Sequence, residues 1–456
     1  MSRTLIDGGY LIPMSRPYEV VADGVVAIRD DRIVHAGPRA GFDARAFEAD
    51  TTINAKGRAV LPGFVNTHIH LIGAYLKGLT EDVSGALSAG LWKRAVPIAF
   101  KHVHDEDWYA GCLTHAMEML CTGTTTIVSQ FLKEDLAMPA VRDLGIRAVM
   151  SQEIFEVDAL KLNASVMERP MRPGKLEEGL ELSRKLHADW HGKENGRITT
   201  RISPAGPGFT SRDGLVACRD LADELGLGLN VHVAEVPGET EFVMQRYGKR
   251  PIQFLDELGL LSKRTIGIHT VFLSDEDIAT IARTGMHISH TSYHVAKRGY
   301  FPPMEKVYAA GCSVTWGTDW CSNDLWKFMN MGILLPRARS GDARTLDGWR
   351  ALHMATMGGA RSIGMEKDIG SLEAGKKADI ILVDLDTPWC RPVRAENLPS
   401  NLVYNATGSD VTDVIVDGRI VVRDKKVLTV DAAAVLKETQ ERAERIWARA
   451  DAVFDA

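Results

Sequence analysis

Leu61-Pro62-Gly63-Phe64-Val65-Asn66-Thr67-His68-Ile69-His70-Leu71 is the stretch around which the chain organises. Pro62-Gly63 interrupts what precedes it, and Phe64-Val65 supplies an apolar strand start. Strand side chains alternate between faces, so His68 and His70 share one face and can offer two imidazole nitrogens to one metal ion. Two histidines one residue apart are weak evidence alone, so the rest of the chain must supply further ligands.

Working outward, short apolar strands at 64–68, 125–128, 147–150, 200–203, 228–232, 265–269, 286–289 and 313–316 alternate with helical stretches such as 105–122, 213–225 and 275–284. Eight strand–helix units in about 300 residues are what a closed (β/α)8 barrel requires. The flanks differ. Short strands separated by turn signals occupy 5–6, 25–28 and 32–36, and strands return at 378–385 and 411–422. The expected fold is therefore α/β: a (β/α)8 TIM barrel over 63–365, with a small β-sandwich domain built from both chain termini, 1–62 and 366–430. The Ala-, Glu- and Arg-rich tail, 431–456, is expected to form a C-terminal helix.

The 456 residues are 45% hydrophobic and 25% charged, with net charge −6 and pI near 6.2. That balance argues against a nucleic-acid-binding surface, and no basic tract or long apolar run points to a membrane. No secretory leader is evident. The six cysteines, Cys112, Cys121, Cys218, Cys312, Cys321 and Cys390, form no CxxC and no dense framework, so a cytoplasmic protein with reduced thiols is expected.

Barrel enzymes place their chemistry at the C-terminal strand ends. The first strand gives His68 and His70, the fifth ends in His232, the sixth in His269, and Gly317-Thr318-Asp319 follows the eighth. Four histidines and a carboxylate in this register form a donor set suited to a borderline-soft divalent cation. The fourth-strand segment 197–206 holds neither Lys nor Glu to bridge a second ion, so one metal ion per subunit is expected. Zinc is the first expectation, and the same donors accept iron(II), cobalt(II) or manganese(II). Glu235 lies three residues past His232, with the wrong parity for the strand's inward face. It is placed on the following loop, where it can move a proton between water and leaving group.

These residues resemble the amidohydrolase superfamily, and within it the deaminase/chlorohydrolase branch that includes S-adenosylhomocysteine and methylthioadenosine deaminases, guanine-type deaminases and s-triazine hydrolases. The resemblance runs over essentially the whole chain. Its motifs are Pro62 to His70, His232-Val233-Ala234-Glu235, Gly317-Thr318-Asp319 and Gly370-Ser371-Leu372-Glu373-Ala374-Gly375-Lys376-Lys377-Ala378-Asp379-Ile380. It implies that His68, His70, His232 and Asp319 ligate one divalent metal. It further implies that His269 orients the attacking water, that Asp319 takes that water's proton, and that Glu235 protonates the substrate.

The implied function is hydrolysis of a C–N bond on a small planar nitrogen heterocycle, in first place deamination. The alternative is an s-triazine-type hydrolase releasing chloride or an alkylamine. A binuclear cyclic amidase would need the missing bridging residue, and a non-catalytic scaffold would show degraded ligands. Relatives also lead us to expect a homo-oligomer.

The segment after the seventh strand departs from the branch. Where its members carry Pro-x-Ser-Asn, this chain reads Ser289-His290-Thr291-Ser292-Tyr293-His294. Tyr293 and His294 are therefore expected to face the substrate. Trp92, Trp316 and Trp320 are candidate stacking residues, Trp320 foremost because it follows Asp319. Asn323 and Asp324 are candidate polar contacts in the same loop.

Overall fold

Strands form at all eight expected positions, and they do so as buried parallel strands. The computed structural model describes residues 2–83, 91–158, 171–320 and 322–451. In it β1 (Phe64–Ile69), β2 (Thr124–Phe131), β3 (Arg147–Ile154) and β4 (Ile198–Thr200) make one parallel sheet in the order β4-β3-β2-β1. A second parallel sheet holds β5 (Leu229–Val233), β6 (Thr265–His269), β7 (His287–His290) and β8 (Ser313–Trp316) in sequence order. Every residue of β1, β2 and β3 is buried, as befits strands covered on both faces.

The two sheets meet at single parallel bridges, Ile69 with Asp319 and Ile202 with Leu229. This differs from the uninterrupted ring expected. At one seam the fourth strand breaks after Thr200, resumes only as Ser203–Pro204 beside β3, and Pro204 has no N–H to donate. At the other, the chain leaves β8 in a left-handed conformation at Asp319 (φ 63°).

The chain ends supply two further sheets. One contains Gly24–Arg29, Arg32–Pro38, Arg3–Asp7 and Thr51–Asn54, all from the N-terminal segment. The other joins Tyr10–Leu11 and Arg58–Pro62 to Ile380–Asp384, Val411–Val416, Arg419–Arg423 and Lys426–Val427. Ile6, Val26 and Ile53 of the first sheet share an apolar cluster with Val60, Ile380 and Ile415 of the second. The tail forms a helix, Ala432–Arg449, started by Asp431, whose carboxylate accepts from the Ala434 N–H at 3.0 Å. Its Arg442 and Arg449 reach Asp107, at 3.2 and 2.8 Å, beside the helix Trp108–Cys121. Among the described residues no helix is long and apolar enough to cross a membrane.

A buried ion pair ties the parallel strands to the composite sheet. Arg147, the first residue of β3, is 1% exposed and donates to both Asp379 carboxylate oxygens at 2.7 and 2.9 Å. It also reaches Asp417 at 3.2 Å. Removing one partner strands the other's charge out of water, which costs more than the pair's net worth. We expect Asp379→Ala to lower the unfolding free energy by about 3–5 kcal/mol, measured by urea denaturation.

Candidate metal centre and catalytic pocket

The strand ends converge on one point. Asp319 Oδ1 lies 3.4 Å from His68 Nε2 and 3.2 Å from His70 Nε2, while its Oδ2 lies 2.7 Å from His294 Nε2 and 3.9 Å from His269 Nε2. One nitrogen each from His68, His70 and His232 fall within 4.8 Å of one another, as do donor atoms of His68, His269 and Asp319. The His68 and His232 rings are 4.9 Å apart at their centroids. All six groups are buried or nearly so.

The backbone is strained where these groups are delivered. Ala234, His269, Thr270 and Asp319 all have positive φ, at 55°, 69°, 48° and 63°. Such conformations cost of order 1–3 kcal/mol each for residues with a side chain, and they persist where surrounding bonds over-determine them. Here the Thr270 N–H donates to the Val233 carbonyl (3.1 Å), Val271 N–H to that of Ala234 (2.9 Å), and Thr318 and Asp319 N–H both to that of His68 (2.9 and 3.0 Å). Asn66 adds a clamp: its amide nitrogen donates to Thr318 Oγ1 at 2.7 Å, and its oxygen accepts from the Thr318 N–H at 3.1 Å.

The residues fit a cation. Both ring nitrogens of His68 are buried without a hydrogen-bond partner, and so is Asp319 Oδ1. Orphaned polar atoms at the centre of a fold are costly unless something satisfies them together. The outer nitrogens of the other rings are held from behind. His70 Nδ1 donates to the Gln130 carbonyl at 2.6 Å, and His232 Nδ1 lies 3.2 Å from Glu153 Oε1, which turns each Nε2 toward the site. His269 Nδ1 is 2.9 Å from Thr291 Oγ1.

Glu153 is a residue the sequence reading missed. Burial opposes charge on His232, yet the Glu153 carboxylate outweighs it and pushes the imidazole up to about 9, a mark of how firmly that carboxylate holds the ring. We expect Glu153→Leu to weaken zinc binding 10–100-fold, the usual cost of losing a ligand's supporting partner, read by competition with a chromogenic chelator.

Glu235 lines the same cavity. Its Oε1 is 3.8 Å from His269 Nε2 and 2.6 Å from Arg298 Nη1. Burial alone would raise its carboxyl, but His269 and Arg298 outweigh burial and hold it at about 2. Burial keeps His269 itself neutral, down at about 3, and Arg298 is a standing cation in hydrogen-bond contact with the Glu235 carboxylate. Arg298 was not anticipated either; its partner is 63 residues away in sequence.

The cavity above the strand ends is small, about 70 Å3. Its floor is His70, His232, His269, Asp319, Glu235 and Glu153, and its wall is Val96, Phe100, Phe131, Phe155, Phe209 and Trp320, with Ala205. Trp320 stands over His70 with ring centroids 4.3 Å apart.

The remaining candidates fall elsewhere. His294 reaches Asp319 but is not part of the cavity wall, and Tyr293 turns to Phe328, 5.6 Å away. Asn323 is fully buried: its oxygen accepts from Thr318 Oγ1 at 3.0 Å and its amide donates to Glu118 at 2.9 Å, so it braces the Asp319 loop instead of facing a ligand. Asp324 starts the helix Leu325–Ser340, and Trp316 is core, donating from its indole to the Ala351 carbonyl at 2.9 Å. The side chain of Trp92 and all of Cys321 lie outside the described residues.

The chain is similar to characterised proteins over nearly its whole length. It is 34% identical to a 5-methylthioadenosine/S-adenosylhomocysteine deaminase of Moorella thermoacetica, covering 97% of this chain and 99% of that one. It is 33% identical to a 5′-deoxyadenosine deaminase of Methanosarcina mazei, covering 98% and 99%. Among solved structures, a zinc-bound adenosine deaminase from Xanthomonas campestris superposes with a TM-score of 0.89 at 28% identity, covering 98% of each chain. A zinc complex of atrazine chlorohydrolase from Arthrobacter aurescens shares the fold, with a TM-score of 0.85 at 22% identity over 96% of this chain and all of that one. The amidohydrolase family model matches residues 59–421. With that span and those relatives, the chain belongs to the amidohydrolase family.

Proposed function

We propose that the protein is a metal-dependent aminohydrolase that removes an amino group from a small planar nitrogen heterocycle. The observation that carries this is the meeting, in one cavity, of a buried His68/His70/His232/Asp319 donor set with Glu235 and His269. The relatives named as deaminases of adenine nucleosides support the same reaction class. One zinc ion per chain is the occupant we assign to the donor set, as in the zinc-bound deaminase of similar fold.

When bound, such an ion supplies Lewis acidity and makes a water nucleophile available near neutral pH. The protein's own groups do the rest. Asp319, between the histidines, accepts a proton from the attacking water. His269 has its Nδ1 against the Thr291 hydroxyl; with that hydroxyl donating, its Nε2–H points into the site and can hydrogen-bond the oxygen that forms the new C–O bond. Glu235, a carboxylate in the resting site, takes the second proton of the attacking water and passes it to the heterocycle. Water oxygen bonds to carbon, the C–N bond breaks, and ammonia leaves with the transferred protons.

We also infer that the two parallel sheets work as one (β/α)8 barrel over 63–365. The segments 1–62 and 366–430 then form a β sandwich around their shared apolar cluster, and 431–456 the terminal helix. A cytoplasmic setting agrees with the free thiols of Cys112, Cys121, Cys218, Cys312 and Cys390.

The test is release of ammonia by zinc-loaded protein across a panel of aminated purines, pyrimidines and s-triazines. Stoichiometric ammonia supports the assignment. Chloride or alkylamine release without ammonia overturns it.

A further inference from the structure

The helix Trp108–Cys121 is bonded to both loops that carry metal-site donors. From its middle, His115 Nδ1 donates to the carbonyls of His70 and Leu71, at 3.2 and 3.1 Å. One turn on, the Glu118 carboxylate accepts from the Asn323 amide at 2.9 Å. Asn323 in turn accepts from Thr318, the neighbour of Asp319, at 3.0 Å. The same Glu118 oxygen accepts from Lys77 at 2.6 Å, and Lys77 ends the short helical turn Leu71–Leu76 that follows His70. A line of hydrogen bonds thus runs from the Lys77 ammonium to the metal-site carboxylate.

The outer end of that line opens onto a second cavity, of about 590 Å3, a size that suits a small molecule. Thr114, Met117, Glu118 and Cys121, three and four residues apart, make one wall from a single helix face. Val427, Val430 and Leu436 line it from the C-terminal segment, and Leu436 leaves 52% of its surface uncovered. Lys77, Lys425 and Lys426 add three ammonium groups. The two lining carboxylates already have partners: Asp431 starts the C-terminal helix, and Glu118 holds Lys77 and Asn323. In a chain of net charge −6, this is a locally cationic place. Apolar walls draw an apolar body out of water, and ammonium groups make strong hydrogen bonds to an anionic head. Lys77 keeps 39% of its side chain exposed, so such a head can reach it.

We propose that this cavity binds an amphipathic monocarboxylate, and that Lys77, Glu118 and Asn323 couple its occupancy to the Asp319 loop. The bound carboxylate competes with Glu118 for the Lys77 ammonium. Glu118, part-buried and deprived of its counter-charge, turns toward water and releases Asn323. The Asp319 loop then loses a brace, so the carboxylate and zinc each weaken the other's binding by the same factor. The site lies outside the reaction and holds whichever leaving group the enzyme releases.

Octanoate is the probe, titrated by calorimetry into the full chain with and without zinc. We expect one octanoate per chain with Kd below about 1 mM, and about fivefold or more weaker binding to the zinc-loaded protein. Chelator competition should show zinc affinity falling by the same factor at saturating octanoate. Octanamide, which lacks the charge, should bind at least about 10-fold more weakly. Lys425→Gln combined with Lys426→Gln should weaken octanoate by a similar factor, as should Leu436→Asp, with zinc content unchanged in both. Glu118→Gln frees Lys77 while its amide oxygen still accepts from Asn323, so octanoate should bind at least as tightly and lose its dependence on zinc. Octanoate binding that ignores the lysine and Leu436 substitutions, or octanamide binding as tightly, overturns the site. Equal affinity with and without zinc overturns the coupling. Tighter binding to the zinc-loaded chain places octanoate on the ion and overturns both.

Discussion

Asp319→Asn is expected to abolish stoichiometric zinc binding and to lower kcat/KM by at least about 10³-fold. Among the described residues, Asp319 is the only carboxylate in contact with His68, His70 and His294 together, and it is 1% exposed. Asparagine keeps its size, so the strand end can still close through the Thr318 and Asp319 N–H bonds to the His68 carbonyl. What is lost is the negative charge that offsets a divalent ion among imidazoles. Also lost is a positioned proton acceptor, worth about 10²–10⁴-fold by itself. The effects compound, because less ion is held and the ion that remains lacks its base. Zinc content by elemental analysis, read beside kcat/KM at saturating zinc, separates them. Full zinc occupancy with activity within tenfold of the parent would remove Asp319 from both roles.

Much of this site can be read in the sequence because it sits at strand ends. Parallel strands covered on both faces declare themselves as short apolar runs, and the histidines fall where those runs stop. The same logic explains what was missed. The apolar run of β3 stops at Met150, yet the strand continues through Ser151-Gln152-Glu153 to Ile154, all buried. Those polar residues end an apolar pattern but not the strand. Ser151 meets Asn230, and Glu153 meets His232, so the pattern fails where the strand turns functional.

Other features depend on directions a one-dimensional reading cannot supply. Tyr293 and His294 are neighbours on the helix Ser292–Lys297, and a helix turns adjacent side chains about 100° apart. One therefore reaches Asp319 and the other Phe328. The aromatic wall draws Phe100, Phe131, Phe155 and Phe209 from distant parts of the chain, and a phenylalanine facing a cavity has the same composition as one in the core. Asn323 illustrates the converse. A polar residue beside a metal-site Asp suggests ligand contact, but here its hydrogen bonds all serve the loop that carries Asp319.

Glu235→Gln tests the proton-transfer step with the metal centre left intact. Glu235 is not among the donor atoms that converge with His68, and its backbone is fixed independently: the Ala234 and Glu235 N–H groups donate to the Glu239 carboxylate at 3.1 and 2.9 Å. The substitution should therefore leave fold and zinc content unchanged. It should lower kcat by about 10²–10⁴-fold, the usual range for a positioned general acid–base, with KM moving far less. Glutamine can still accept from Arg298, so the guanidinium keeps a partner and a trivial structural collapse is avoided. The leaving group decides the size of the loss. Ammonia departs only once its nitrogen has been protonated, whereas chloride needs no proton. An aminated heterocycle should thus suffer the full loss, and a chlorinated analogue of the same ring should suffer much less. Parallel kcat measurements on such a pair read the difference directly; equal losses on both would mean that Glu235 positions the ring without moving a proton.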